Sequence, residues 1–282
     1  MRRLELGRPV LLGNMLIVPV LGDDGCIETI TLEEGLSKGA SLRETGSIER
    51  VIVENSTEEL LFVMDGEELI GERQDRMALF STVVEKGEEF ELPVVCIEKN
   101  RWEGDTPFST GFTAFPRLRK TLTFEGKAIQ EKVWSLIETK LKTLRVSSKT
   151  MSMHHSFVER ERDLEIYQGW EPEEEAVGVM AFSNRGFLCC DIFNTRSLFR
   201  GLKDKLIKGY ALDALEDRMR GRSYSLDLKK INRIWKQIES AETVQLKEMK
   251  HGRHEIVSAE TVKGKRYSFE DDTIHATFFP AK

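Results

Sequence analysis

From Met15 to Glu98 the chain alternates short apolar segments with turn signals. "MLIVPVLG" ends at Gly22-Asp23-Asp24-Gly25 and "CIETITL" follows. "RVIVENSTEELLFVMDG" predicts two strands joined as a hairpin at Asn55-Ser56-Thr57, because Asn and Ser side chains bond back to their own backbone and turn the chain. "MALFSTVV" and "FELPVVCIE" predict another strand pair around Lys86-Gly87, while residues 35–46 fit a short helix or a loop. After Trp102 the period changes. Ile129, Val133, Trp134, Ile137, Leu141 and Leu144 recur three and four apart, which predicts an amphipathic helix, and a second helix is expected over about 151–167. Strand character returns over 176–192, with a hairpin turn at Asn184-Arg185-Gly186. Leu198, Phe199, Leu202, Leu206, Tyr210 and Leu215 mark one more helix, and 228–238 a shorter one. The tail is a strand meander with turns at His251-Gly252, Lys263-Gly264 and Asp271-Asp272.

These periods predict an α+β protein: an antiparallel, sandwich-like β-rich part over 1–103, a mixed helical part over 104–240 and a β meander over 241–282. Strands flank the helical middle, so the last strands are placed to rejoin the first sheet. That expectation treats 1–282 as one unit rather than two separable domains.

Composition narrows the classes. A chain of 282 residues with 40% hydrophobic residues can bury a large core. Its 42 Lys and Arg against 48 Asp and Glu give a net charge of −6, which offers no electrostatic footprint for nucleic acid. No apolar run reaches the roughly 18 residues of a membrane helix. Cys26, Cys96, Cys189 and Cys190 show neither a zinc spacing nor a disulfide framework. A cytoplasmic protein is the expectation, with a small-molecule ligand and self-association left open as partners.

Two polar stretches are candidates for chemistry. "DGEELIGERQDR" places Asp65, Glu67, Glu68, Glu72, Gln74, Asp75 and Arg76 between apolar runs. Gln and Arg together recognise polar planar groups or phosphates, and a neighbouring carboxylate can move a proton or hold a cation. The competing reading is a solvated hairpin end with Arg76 paired to an acid. "CIEKNRW" follows a strand directly, so Glu98 is expected to be partly buried and paired with Arg101, Arg76 or a ligand, with Trp102 as a stacking surface or a core cap. Glu67 and Glu98 are thus the candidate acid–base residues, and Asp65, Gln74, Arg76, Arg101 and Trp102 the candidate ligand contacts. Cys96 reads as a buried thiol or a nucleophile lacking an evident base. His154-His155 lacks the one-turn spacing of a zinc pair, and no phosphate-binding glycine motif is present. No metal ligands are assigned, and the cofactor is left open.

"LLFVMDGEELIGERQDR", "ELPVVCIEKNRW", "IQEKVW", "AVGVMAFSNRGFLCCDIF" and "KLIKGYALDAL", in that order, resemble the ARG and rhodanese-phosphatase-superfamily-associated protein domain family, named for ADP-ribosylglycohydrolase neighbours. The resemblance implies a link to NAD and ADP-ribose metabolism without an assigned reaction. The matching positions are Asp65, Gly66, Glu67, Gly71, Gln74, Arg76, Cys96, Glu98, Arg101 and Trp102. This chain departs from the family pattern at Asp75, where an Asn is expected, and in the more charged Gly71-Glu72-Arg73. The reading that follows is a protein that binds or processes a small polar metabolite. The alternative is an interaction or scaffold module whose polar motif is an ion-pair network.

Overall fold

The computed structural model describes residues 3–71, 73–104, 107–124, 129–221 and 228–281. The chain forms two compact units, Met1–Glu28 together with Ile166–Lys282, and Thr29–Glu165.

The first unit is built on a nine-stranded antiparallel sheet. Its strands run in the order Leu4–Leu6, Met15–Gly22, Ala176–Ser183, Gly186–Phe193, Asp272–Pro280, Val262–Phe269, Gly252–Ser258 and Glu242–Met249, with Val10–Leu12 also paired to Met15–Gly22. The C-terminal meander does rejoin the first strands, through the hairpin 176–193. Side chains alternate between the two faces of a strand. Helix Arg196–Met219 covers the face of Asp191, whose carboxylate takes the Tyr210 hydroxyl bond. Helix Leu228–Glu239 packs Ile231, Trp235 and Ile238 on the face of Cys190, Ile192 and Phe278. With both faces covered, Ala176–Ser183 is buried along its whole length. That burial explains its continuous apolar run.

One expected tail turn lies elsewhere. Lys263-Gly264 sits inside strand Val262–Phe269, and the chain turns before it, at Glu260-Thr261. A Cβ at Gly264 would meet the Thr277 carbonyl oxygen at 2.2 Å, so the glycine serves a close strand approach.

The second unit holds two sheets. The larger runs Ser109–Thr113, Glu67–Ile70, Arg76–Ala78, Glu89–Cys96, Arg50–Glu54 and Ser41–Glu44; the smaller runs Thr82–Val84, Leu61–Val63 and Ile30–Thr31. Both contribute to one core, with Val51, Val53, Leu69, Leu92 and Val94 from the first and Leu61, Val63 and Val84 from the second. The sandwich-like expectation is met. The predicted strand partners are met only in part: Met77 and Ala78 of "MALFSTVV" pair with Val95 and Val94 of "FELPVVCIE", but the hairpin across Asn55 does not form. Arg50–Glu54 pairs with Glu89–Cys96 and Ser41–Glu44, while Leu61–Val63 pairs with Thr82–Val84 and lies in the other sheet. In this unit the turns at Asn55-Ser56-Thr57 and Lys86-Gly87 carry the chain between sheets.

Asn55 shows why. It is fully buried, and its Nδ2 donates to the carbonyls of Glu59 and Val84, both at 2.8 Å. Its Oδ1 accepts from the Thr57 amide at 3.1 Å and the Thr57 hydroxyl at 2.7 Å. One side chain therefore satisfies the backbone of a corner.

Residues 35–46 resolve into the end of helix Leu32–Ser37, opened by a Thr31/Glu34 capping box, and strand Ser41–Glu44. Helix Ile129–Leu144 buries Val133, Ile137, Leu141 and Leu144 as their spacing predicts. The single helix expected over 151–167 is broken into Met153–Val158, Glu161–Leu164 and a 3-10 turn at Glu165–Tyr167. At the break, Arg160 leaves helical geometry and its guanidinium bonds the carbonyls of Leu144 and Arg145, at the C-terminal end of the preceding helix. Those carbonyls have no partner within their own helix.

Replacing Asn55 with Ala takes this partner from the buried Val84 carbonyl and the Thr57 amide, and one of two donors from the Glu59 carbonyl, which keeps the Thr57 hydroxyl. The expected loss is about 2–3 kcal/mol, read as a lower denaturation midpoint of the Thr29–Glu165 unit; a loss below about 0.5 kcal/mol would show that Asn55 does not hold the corner.

Candidate functional site

The polar run is not a solvated loop. Asp65, Glu67, Glu68, Gln74, Asp75, Arg76 and Glu98 are all at most 5% exposed. Glu72 lies outside the described residues. A buried charge is costly unless paired, so each group must be traced to its partners.

Asp65 and Glu67 hold the turn between Leu61–Val63 and Glu67–Ile70. The Ser81 hydroxyl donates to Asp65 Oδ1 at 3.1 Å, and Arg119 Nη2 stands 3.4 Å from the same oxygen. Glu67 Oε2 accepts the Met64 amide at 3.3 Å. Gly66 has φ +80°, and a Cβ there would strike the Arg119 stem at 2.7 Å. Both acids are thus built into the turn.

Strand alternation then separates neighbours. Arg76 is wholly buried, donates to Glu44 at 2.8 Å and stands over the Phe108 ring at 6.0 Å. The predicted Arg76–Glu98 pair is absent; Glu44 takes its place. Asp75 points elsewhere: its Oδ1 accepts from Arg101 Nη2 at 2.8 Å and its Oδ2 from the Ser152 hydroxyl at 3.2 Å. Arg101 Nε also donates to Glu98 Oε2 at 2.7 Å, and Gln74 donates to the Glu98 backbone carbonyl. Gln74, Asp75, Glu98 and Arg101 therefore meet, while Asp65, Glu67 and Arg76 serve other contacts and Trp102 is about half exposed, at 47%.

Three members of this cluster, Glu68, His154 and Ser152, were not among the candidate site residues, although Glu68 lies in the polar run and His154 in the His154-His155 pair. Glu68 Oε2 accepts the Phe112 amide at 2.9 Å and lies 3.0 Å from His154 Nδ1. The His154 ring stacks on Phe112 with centroids 5.1 Å apart, and Phe112 stacks on Phe157 at 4.3 Å. Ser152 caps helix Met153–Val158 by accepting the His154 amide, and its hydroxyl reaches Asp75. Eighty-six residues separate Glu68 from His154. Only the fold brings them together. Glu68 Oε1 is buried with no hydrogen-bond partner among the described residues.

The electrostatics follow from this arrangement. Burial raises the Asp75 carboxyl above the usual carboxylate range, and the charges of Glu98 and Glu68 raise it further against the pull of Arg101 and His154. The hydrogen bond to Glu68 raises His154, which burial opposes and the charges of Glu68, Asp75 and Glu98 reinforce. Burial raises the Cys96 thiol, despite Arg76 nearby, so it is a poor thiolate. The side chains of His154 and Arg101 are 26% and 28% exposed, with the carboxylates buried behind them. With Nδ1 engaged by Glu68, Nε2 is the nitrogen left to exchange a proton with a ligand. Among the described residues no group of three or more His, Cys, Asp or Glu side chains is arranged for a metal ion.

The sign of the pH effect is the same for both raised groups. A histidine raised on folding adds stability that is full below its unfolded pKa of about 6.5 and is lost as pH rises through the folded value. A raised Asp75 likewise favours the folded state in its protonated form, an advantage lost as pH climbs through its folded value. The histidine ring resonances are expected to show His154 titrating above about 6.5, and Glu68→Gln is expected to lower that midpoint. An unchanged midpoint in the variant would dissolve the dyad.

Comparison with curated proteins finds no match, and comparison with solved structures finds none either. The family model described as the ARG and Rhodanese-Phosphatase-superfamily-associated Protein domain matches residues 3–279. That span includes both units and every residue of the cluster, and the chain belongs to this family.

Proposed function

We propose that the Thr29–Glu165 unit binds or processes a small polar metabolite at the edge formed by His154 and Arg101. The observation that carries this reading is the Glu68–His154 pair, an imidazole about a quarter exposed and oriented by a wholly buried carboxylate. Such a pair positions a ring for proton transfer, as a general acid while charged and a base once neutral. Arg101, fixed by Asp75 and Glu98, offers a preorganised guanidinium for a polar end of the ligand. Trp102, which follows Arg101 in the chain, supplies exposed flat apolar surface for stacking.

A metabolite of the NAD and ADP-ribose class is the proposed ligand, supported by the ARG association in the family's description. A cytoplasmic setting is proposed alongside it. The four cysteines are free thiols, and no described helix is long and apolar enough to cross a membrane.

A second reading, a non-catalytic scaffold, is favoured by a different observation. Arg76 is paired with Glu44 and Arg101 with two acids, so the cations expected to meet a ligand already have protein partners. Thermal unfolding with ADP-ribose or NAD separates the two. Ligand at 100 times its Kd is expected to add about 2.7 kcal/mol, and Arg101→Gln or His154→Gln to remove that gain. No shift with either compound at millimolar concentration sinks the ligand class and leaves the scaffold reading standing.

A further inference from the structure

The Met1–Glu28 and Ile166–Lys282 unit carries a cavity of about 640 Å³ that the metabolite site does not use. Its volume lies within the usual range for small-molecule sites. Ile192, Ala276 and Phe278 of the sheet and Trp235 and Ile238 of helix Leu228–Glu239 give it an apolar floor and wall.

The rim carries both signs of charge. Arg253 and Arg266 stand on adjacent strands, where Arg253 is opposite Ser268 and Arg266 is opposite Glu255. Asp271 lies at the turn just beyond Phe269, at the same end of the sheet as Arg253, and Glu239 ends the helix wall. None of Glu239, Arg253, Glu255, Arg266 and Asp271 makes an ion pair with another described residue. Two of them have other bonds: Arg266 donates to the Ala241 carbonyl at 3.1 Å, and Glu255 accepts the Thr243 hydroxyl at 3.0 Å. Asp272 also lines the cavity, but its Oδ2 already takes the amides of Cys26 and Ile27 and the Asn194 side chain. Its charge is therefore spent on holding the Gly25–Ile27 segment.

Opposite charges that share a cavity without neutralising each other suit a ligand that carries both signs. A simple anion would meet Glu239, Glu255 and Asp271, and a simple cation would meet the two arginines. An apolar floor adds a requirement for an apolar body. We propose that this cavity is a second ligand site for a zwitterion with a large apolar side chain, the chemistry of a free aromatic or long aliphatic amino acid. Its carboxylate is taken by Arg253 and Arg266, its ammonium group by Asp271 and Glu239, and its side chain lies against Trp235 and Phe278. Guanidinium–carboxylate bonds set the orientation, and the apolar contacts supply most of the affinity. The site is independent of the His154 edge and does not rest on the function proposed for it.

Calorimetric titration of the full chain with L-tryptophan, tryptamine and indole-3-propionate tests each half of the head group. L-Tryptophan is expected to bind at least about tenfold more tightly than either analogue, since each lacks one charged anchor. The double variant R253Q/R266Q is expected to bring L-tryptophan down to the affinity of tryptamine without changing tryptamine. Asp271→Asn is expected to bring it towards indole-3-propionate. No saturable binding of L-tryptophan, an analogue that binds equally well, or an R253Q/R266Q variant with unchanged L-tryptophan affinity each overturns the proposal. The comparison of three compounds on the unaltered protein stands even where a variant folds poorly.

Discussion

Burying ionised groups is the constraint around which the Thr29–Glu165 unit is organised. Asp65, Glu67, Glu68, Asp75, Glu98, Arg76 and Arg119 are all at most 5% exposed. An isolated ion at such depth costs several kcal/mol, so no element that carries one can settle until the partner element arrives. Asp65 draws in helix Pro116–Phe124 through Arg119, Arg76 draws in strand Ser41–Glu44 through Glu44, and Asp75 draws in the Ser152 cap. The larger sheet and its helices are thereby placed relative to one another by charge as well as by the Val51, Leu69 and Leu92 core.

The same constraint separates wholly enclosed charge from charge that solvent reaches. Arg76 and Arg119 lie wholly inside, and nothing in solution reaches them. His154 and Arg101 are held by equally buried acids yet keep about a quarter of their side chains exposed. Acids behind and cations in front leave Arg101 and His154 partly exposed but held by their carboxylates. A side chain fixed in this way has less entropy to lose on binding than an ordinary exposed arginine.

The two long helices, Ile129–Leu144 and Arg196–Met219, were legible in the sequence because their information is local. The spacing of Val133, Ile137 and Leu141, and of Leu198, Leu202 and Leu206, lies within single turns and needs no partner to be read. Strands were legible as strands, and so were local hairpins such as 176–193, but the pairing around Asn55 was not. Asn55 carries a strong turn signal, yet the same amide that turns the chain also reaches Val84, and that second bond sends the strand to another sheet. In the site, Glu98 and Arg101 are three residues apart and their pairing was readable; strand alternation also suffices to set Asp75 apart from Arg76. Glu68 and His154 were not readable as a pair. Their contact depends on a strand, a second strand bearing Phe112 and a capped helix all being in place.

The order of strands in the nine-stranded sheet has a consequence for synthesis. Met15–Gly22 pairs with Ala176–Ser183, and the whole Thr29–Glu165 unit is made between them. At ribosomal rates of about 5–20 residues per second, the early strand waits on the order of ten to thirty seconds for its neighbour. During that interval a run of eight residues, "MLIVPVLG", has native partners on one edge only, Leu4–Leu6 and Val10–Leu12, while its other hydrogen-bonding edge stays open. The intervening unit, complete in its own two sheets, has time to fold first and to remove its own strands as wrong partners. A nascent chain of this topology is most exposed to misassembly before the hairpin 176–193 emerges, and that window is where a chaperone has the most to protect.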